Sequence, residues 1–183
     1  MTKHLSCVLA ALLLVGCFPA VVTYYEPSAR SGSVINDACG AAAPASTLKL
    51  QVKATDLRVT GGEHSFTVTL RVPKGSTVRM ASTDVAVTVG GEAKHYALGE
   101  FSYYDREKRQ SVKVAAGETL GGADEHFVFG NEPRIFQTSL QWEGASDIYQ
   151  VHLPAIVVDG NVIEIPTITF TKKSGVGVYP VNC

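Results

Sequence analysis

The side chains of this sequence that could carry acid–base, nucleophilic or metal chemistry are few and scattered. Glu63-His64, Asp124-Glu125-His126, His95 and His152 are the groups on which a metal or proton-transfer site would draw. A zinc site needs three or four converging His, Cys or carboxylate ligands. No His-x-His, His-Glu-x-x-His or Cys-x-x-Cys spacing occurs after residue 17. Successive residues of a strand face opposite sides, so Glu63 and His64, or Glu125 and His126, do not turn toward one ion. The histidines read as surface or loop-end residues, and neither metal nor cofactor is expected. No Gly-x-Ser-x-Gly elbow accompanies the many serines. Asp124 and Glu125 could serve glycoside chemistry only with a partner about 5 to 9 Å away across a cleft. Gly61-Gly62, Gly90-Gly91 and Gly121-Gly122 fall between strand patterns, as hairpin turns do, rather than forming a phosphate cradle. No catalytic residue is assigned, and a non-enzymatic protein is expected.

Contact with a partner has a better candidate. Phe101-Ser102-Tyr103-Tyr104-Asp105-Arg106-Glu107-Lys108-Arg109 crowds aromatic rings and guanidinium groups onto one strand end and its loop. Tyr and Arg are enriched among residues that dominate interface energies. Phe101, Tyr103, Tyr104 and Arg106 are therefore the expected partner contacts. The competing reading turns Phe101 and Tyr103 into the core and leaves a soluble charged tip.

The elements that must position these residues are strands. Leu48, Leu50 and Val52 alternate with Lys49, Gln51 and Lys53, and Phe66, Val68, Leu70 and Val72 alternate with polar residues until Pro73. Val85, Val87 and Val89 lead into Gly90-Gly91, Val112 and Val114 form a short run, and Phe136, Thr138, Leu140 and Trp142 form another. Ile148 to Val158 is interrupted by Pro154, and the turn Asp159-Gly160-Asn161 returns the chain through Val162 to Lys172. Pro166 inside that return indicates an edge or a bulge, because Pro cannot donate to a ladder. Short strands with turn signals between them, and no helical period, predict an all-β fold. The expected form is an immunoglobulin-like antiparallel β-sandwich of about seven to nine strands over residues 47–183. Trp142 is expected in its core.

Charge narrows the partner further. Lys plus Arg number 16 and Asp plus Glu 17, with no basic block. Nucleic-acid binding, dominated by phosphate neutralisation, is not expected.

At the N-terminus, Lys3 and His4 precede the apolar run Leu5 to Val15 and the small residue Gly16. That order is the pattern of a secretory signal. The run of about 11 residues is well short of the ~20 needed to span a bilayer as a helix. Leu14-Val15-Gly16-Cys17 resembles the lipobox of bacterial lipoproteins. The resemblance covers residues 1–17 and implies a signal peptide over 1–16 and acylation of Cys17, which would hold the protein to a lipid bilayer. Multiple acyl chains give stable anchoring where one does not. Phe18, rather than Asp, follows the Cys, which favours the outer membrane of the cell envelope.

Cys7 leaves with the signal, so Cys39 and Cys183 remain as the pair expected to form a disulfide in an oxidising compartment. In the chain-entropy picture such a long loop contributes roughly 5 kcal/mol. Residues 17–46, rich in Pro, Gly, Ser and Ala, read as a flexible tether. From Cys17 to Cys39 it would span roughly 25 Å as a coil. The expected function is an envelope lipoprotein that binds or scaffolds another envelope protein. The alternative is a carbohydrate- or small-molecule-binding lipoprotein, with Tyr103, Tyr104 and Trp142 stacking on the ligand.

Overall fold

Alternation of apolar and polar residues can bury only one face of a strand, and this chain satisfies that demand by stacking strands antiparallel around one core. The computed structural model describes residues 17–37, 44–127 and 130–180. Three strands open it: β1 (Cys17–Ser28), β2 (Ser33–Ile35) and β3 (Thr47–Val52). The middle holds β4 (Thr55–Gly61), β5 (Ser65–Val72), β6 (Thr77–Met80), β7 (Asp84–Val89), β8 (Glu92–Ala97), β9 (Glu100–Asp105) and β10 (Gln110–Ala115). Next come β11 (Leu120–Gly121), β12 (Asp124–Phe127), β13 (Gly130–Gln141) and β14 (Ile148–His152). The last are β15 (Ile156–Val158), β16 (Asn161–Ile163) and β17 (Ile168–Pro180).

The fold is all-β, in a curled, sandwich-like arrangement. One large sheet runs in the order β10-β9-β13-β5-β4-β1-β17-β14-β7-β8, and a four-stranded sheet runs β11-β6-β15-β16. The seventeen strands among the described residues exceed the seven to nine expected. Several are only two or three residues long and belong to the smaller sheet. Both sheets feed one core: Val78, Met80, Leu120, Ile156 and Val158 from the small sheet join Leu57, Val68, Leu70, Phe101, Phe136 and Phe170 from the large one.

The alternating runs take the positions their period predicts. Phe66, Val68, Leu70 and Val72 are all buried, as are Leu48, Leu50, Val52, Val85 and Val87. Gly90 and Gly91, with φ of 59° and 87°, make the two-residue turn that sets Val89 opposite Glu92. Asp159 and Gly160, at 50° and 79°, do the same for Val158 and Asn161. Pro154 marks the passage of the chain from β14 in the large sheet to β15 in the small one. Pro166 lies in the connection between β16 and β17, not inside a strand.

The stretch expected to be a tether departs from that reading within its described part. β1 pairs with β17 along its whole length, from Cys17 opposite Pro180 to Ser28 opposite Thr169. Tyr25 is buried and donates through its hydroxyl to the Ser146 carbonyl at 2.9 Å. β2 pairs with β3, and Asp37 beyond it is held by Arg58, which also binds Asp56 at 3.0 Å. The residues Val-Val-Thr-Tyr-Tyr (21–25) have strong strand preference, but their partner strand is the last in the chain.

β4 meets β1 through a single residue pair, Tyr25 opposite Gly61. A β-carbon on Gly61 would stand 2.3 Å from Cδ1 of Phe170, so only Gly permits this approach. Around the junction Tyr149 stacks on Phe170 at 5.0 Å and meets Trp142 edge-on at 4.8 Å. Trp142 is thus a core residue, not a platform for ligand.

Candidate functional site

The β9–β10 hairpin forms because Asp105 closes its loop. The Asp105 carboxylate accepts the Lys108 amide at 3.0 Å and lies 3.5 Å from the Lys108 ammonium. Arg109, with φ of 54°, completes the four-residue reversal that pairs Asp105 with Gln110. The Lys108 backbone amide, more than any other contact, lowers the pKa of Asp105 below the ordinary carboxylate value; burial opposes it and the Lys108 charge assists.

Along β9 the two-residue period sorts the expected contact residues. Phe101 is completely buried and offers no surface to a partner, which corrects its assignment as a contact. It packs inward because it shares a face with the core, as the competing reading of the sequence held. Tyr103 is half-buried at the rim of that core. Its ring meets Phe136 edge-on at 5.1 Å, and the Arg134 guanidinium lies over it at 4.6 Å. Ser102 and Tyr104 fall on the other face.

That outer face carries a shallow depression of about 330 Å³, bordered by Ser102, Tyr103, Tyr104, Arg106, Ile135 and Gln137. Tyr104 is 55% exposed and Ile135 38%. Ser102 bridges β9 to β13, its hydroxyl donating to the Gln137 carbonyl at 3.2 Å. The structure therefore brings Tyr103, Tyr104 and Arg106 together and removes Phe101. The sequence reading gave no role to Ile135 and Gln137. Ile135 had a readable signal: it is an apolar residue on the outward phase of a strand whose inward phase is Phe136, Thr138 and Leu140. A larger hollow of about 670 Å³, near Arg30, Gln150 and Thr167, has no aromatic ring in its lining.

The described histidines are spent on separate partners. Nδ1 of His64 lies 3.0 Å from the Gly144 carbonyl, that of His95 2.8 Å from Asp84, and that of His152 3.0 Å from the Thr167 hydroxyl. His95 and His152 share one row of the sheet, each opposite Ala86 of β7. Among the described residues no group of three or more His, Cys, Asp or Glu could hold a metal ion. The His126 side chain, Cys39, Cys183 and the signal region 1–16 lie outside the described residues. Of Cys17, the backbone is described, as the first residue of β1.

No family model matches the chain, and neither a curated protein nor a solved structure resembles it significantly.

Proposed function

We propose that this protein is a non-enzymatic lipoprotein of the bacterial cell envelope that binds another envelope protein through the Tyr104 depression. The observation that carries the binding reading is the exposed pair Tyr104 and Ile135 on a rigid strand surface. An aromatic and an aliphatic anchor beside Arg106, fixed by paired strands, have the composition of an interface centre rather than of a solvated face. Tyr103, clamped between Phe136 and Arg134, supports the site from below without needing to move. The anchoring part rests on Leu14-Val15-Gly16-Cys17 and on the apolar run before it. No helix among the described residues is long and apolar enough to cross a membrane. Phe18 after the lipidated residue favours the outer membrane, and the expected Cys39–Cys183 disulfide suits that oxidising side.

A photo-crosslinker installed at position 104 in the native host tests the binding reading. One recurring envelope protein, captured from position 104 and lost in Ile135→Asp, is the expected result. Capture that is equal from position 95, on the far edge strand β8, would overturn it.

A second reading has its own support. Ser102, Ser111 and Gln137 surround Tyr104 with hydroxyl and amide groups, a lining that suits a sugar stacked on the ring. The depression is at the small end of ligand sites, which run from about 300 to 1,000 Å³. Glycan binding abolished by Tyr104→Ala, without protein capture, would favour this reading.

A further inference from the structure

At the outer end of β1 and β17 the two strands leave the body of the protein as a ribbon. From Cys17 to Tyr24, β1 pairs with β17 alone, and β17 beyond Lys172 pairs with β1 alone. Both ribbon edges therefore present unpaired backbone groups. The two end strands of the large sheet carry guarding charges: Glu92 and Lys94 on β8, Lys113 on β10. The ribbon carries none. No Asp, Glu, Lys, Arg or His occurs from 17 to 25 or from 174 to 180, and charge begins only at the body end, with Glu26, Lys172 and Lys173.

The two faces of the ribbon differ. On one, the Tyr24 ring lies over Gly175, 3.5 Å from where a β-carbon would stand. On the other, Val21 and Val176 sit directly opposite one another and are 81% and 68% exposed. No other described large apolar residues are more exposed.

We propose that the ribbon lies along the bilayer surface with its Val21–Val176 face in the headgroup layer, rather than standing upright as a stalk. This rests on the reading of Cys17 as the lipidated residue. Distance decides the orientation. Val21 is about 13 Å from Cys17 along the strand, whereas the headgroup layer is only about 5 to 8 Å deep. An upright ribbon would leave both valines in water; a ribbon laid nearly flat sets them against lipid. The unpaired edges forbid deeper entry, because hydrocarbon cannot satisfy backbone amides while headgroups and their water can. The body of the protein then rests close to the membrane.

The test uses the mature protein, isolated from membranes and reconstituted into phospholipid vesicles, with the Val176→Trp substitution. Mass analysis of the N-terminal peptide first reports the acyl chains on Cys17. In vesicles whose lipids are brominated high on the acyl chain, the emission added by V176W should fall about twofold, as expected for a residue at the headgroup–acyl boundary. V21W should behave alike, and V162W, on exposed β16 of the small sheet, should not. An acylated protein whose added indole ignores brominated lipid and is quenched by aqueous acrylamide would overturn the ribbon proposal alone. An unacylated Cys17 would overturn both readings.

Discussion

Tyr149 and Gly62 are 87 residues apart in sequence, yet the Tyr149 hydroxyl donates to the Gly62 carbonyl at 3.0 Å. That bond ties β14 to the turn between β4 and β5, beside the single-pair junction of β4 with β1. Burial raises the Tyr149 pKa well above the ordinary phenol value, and that of Tyr25 less far. Tyr149→Phe keeps the ring stack with Phe170 and removes the donor, so it should cost about 1 to 2 kcal/mol. Urea unfolding monitored by fluorescence measures this.

The same residue sets an alkaline limit. A group whose folded pKa lies above its unfolded value contributes stability below the unfolded pKa, about 10 for Tyr. That contribution is lost as pH rises toward the folded value. Stability should therefore decline above about pH 10. The last phenolate to appear in absorbance at alkaline pH should arrive together with loss of the β-sheet circular dichroism signal, and that coincidence should vanish in Tyr149→Phe.

Gly61→Ala should be among the most damaging small substitutions. Its methyl would meet the Phe170 ring at 2.3 Å within a stack that has no slack. Overpacking of this kind costs roughly 1 to 3 kcal/mol. Chemical denaturation of the variant gives the value; an unchanged midpoint would mean that β4 can separate from β17 freely.

Phe101 and Tyr104, three residues apart on one strand, should separate stability from binding. Phe101→Ala empties a core position and should cost about 3 to 5 kcal/mol. Tyr104→Ala should leave the melting temperature unchanged and weaken partner capture about tenfold or more. Parallel melting and crosslinking measurements on the two variants check both halves.

Asp105 makes the hairpin beside the site acid-sensitive. Its pKa is lowered, chiefly by the Lys108 amide, so its stabilising contribution is present above the unfolded value of about 3.9 and is lost as pH falls through the lower folded value. Hydrogen exchange at the Lys108 amide should lose protection in that acid range first, and Asp105→Asn should lose the pH dependence.

The architecture was legible where one face of a strand is buried and the other wet. Phe66 to Val72 and Leu48 to Val52 declare their strands by strict alternation, and Gly90-Gly91 declares a turn. β4 was harder to read, because its turn is Lys53-Ala54, with Lys53 at φ of 53°, and neither residue type announces a reversal. β1 was hidden for another reason: Val21 to Tyr25 has strand character, but its partner is β17, and single-sequence periodicity carries no information about pairing. At the site, Tyr104 and Arg106 were visible as residue types. Ile135 was legible as an apolar residue on the outward phase of its strand, but its place beside Tyr104 came from the bridge between Ser102 and Gln137, which sets β13 beside β9.

The pairing of the first described strand with the last also governs when the protein can fold. β1 emerges from synthesis well before β17, so the ribbon cannot form until residues 168–180 have been made. Contacts of such long sequence separation must overcome a large closure entropy first and form slowly. During that interval the long edge of β1 and the aromatic cluster around Tyr149, still without Phe170, stay open, a state prone to wrong pairing. On the proposed reading of Cys17 as the acylated residue, this interval is spent tethered to the membrane, where the chain is held apart from other unfinished copies in solution.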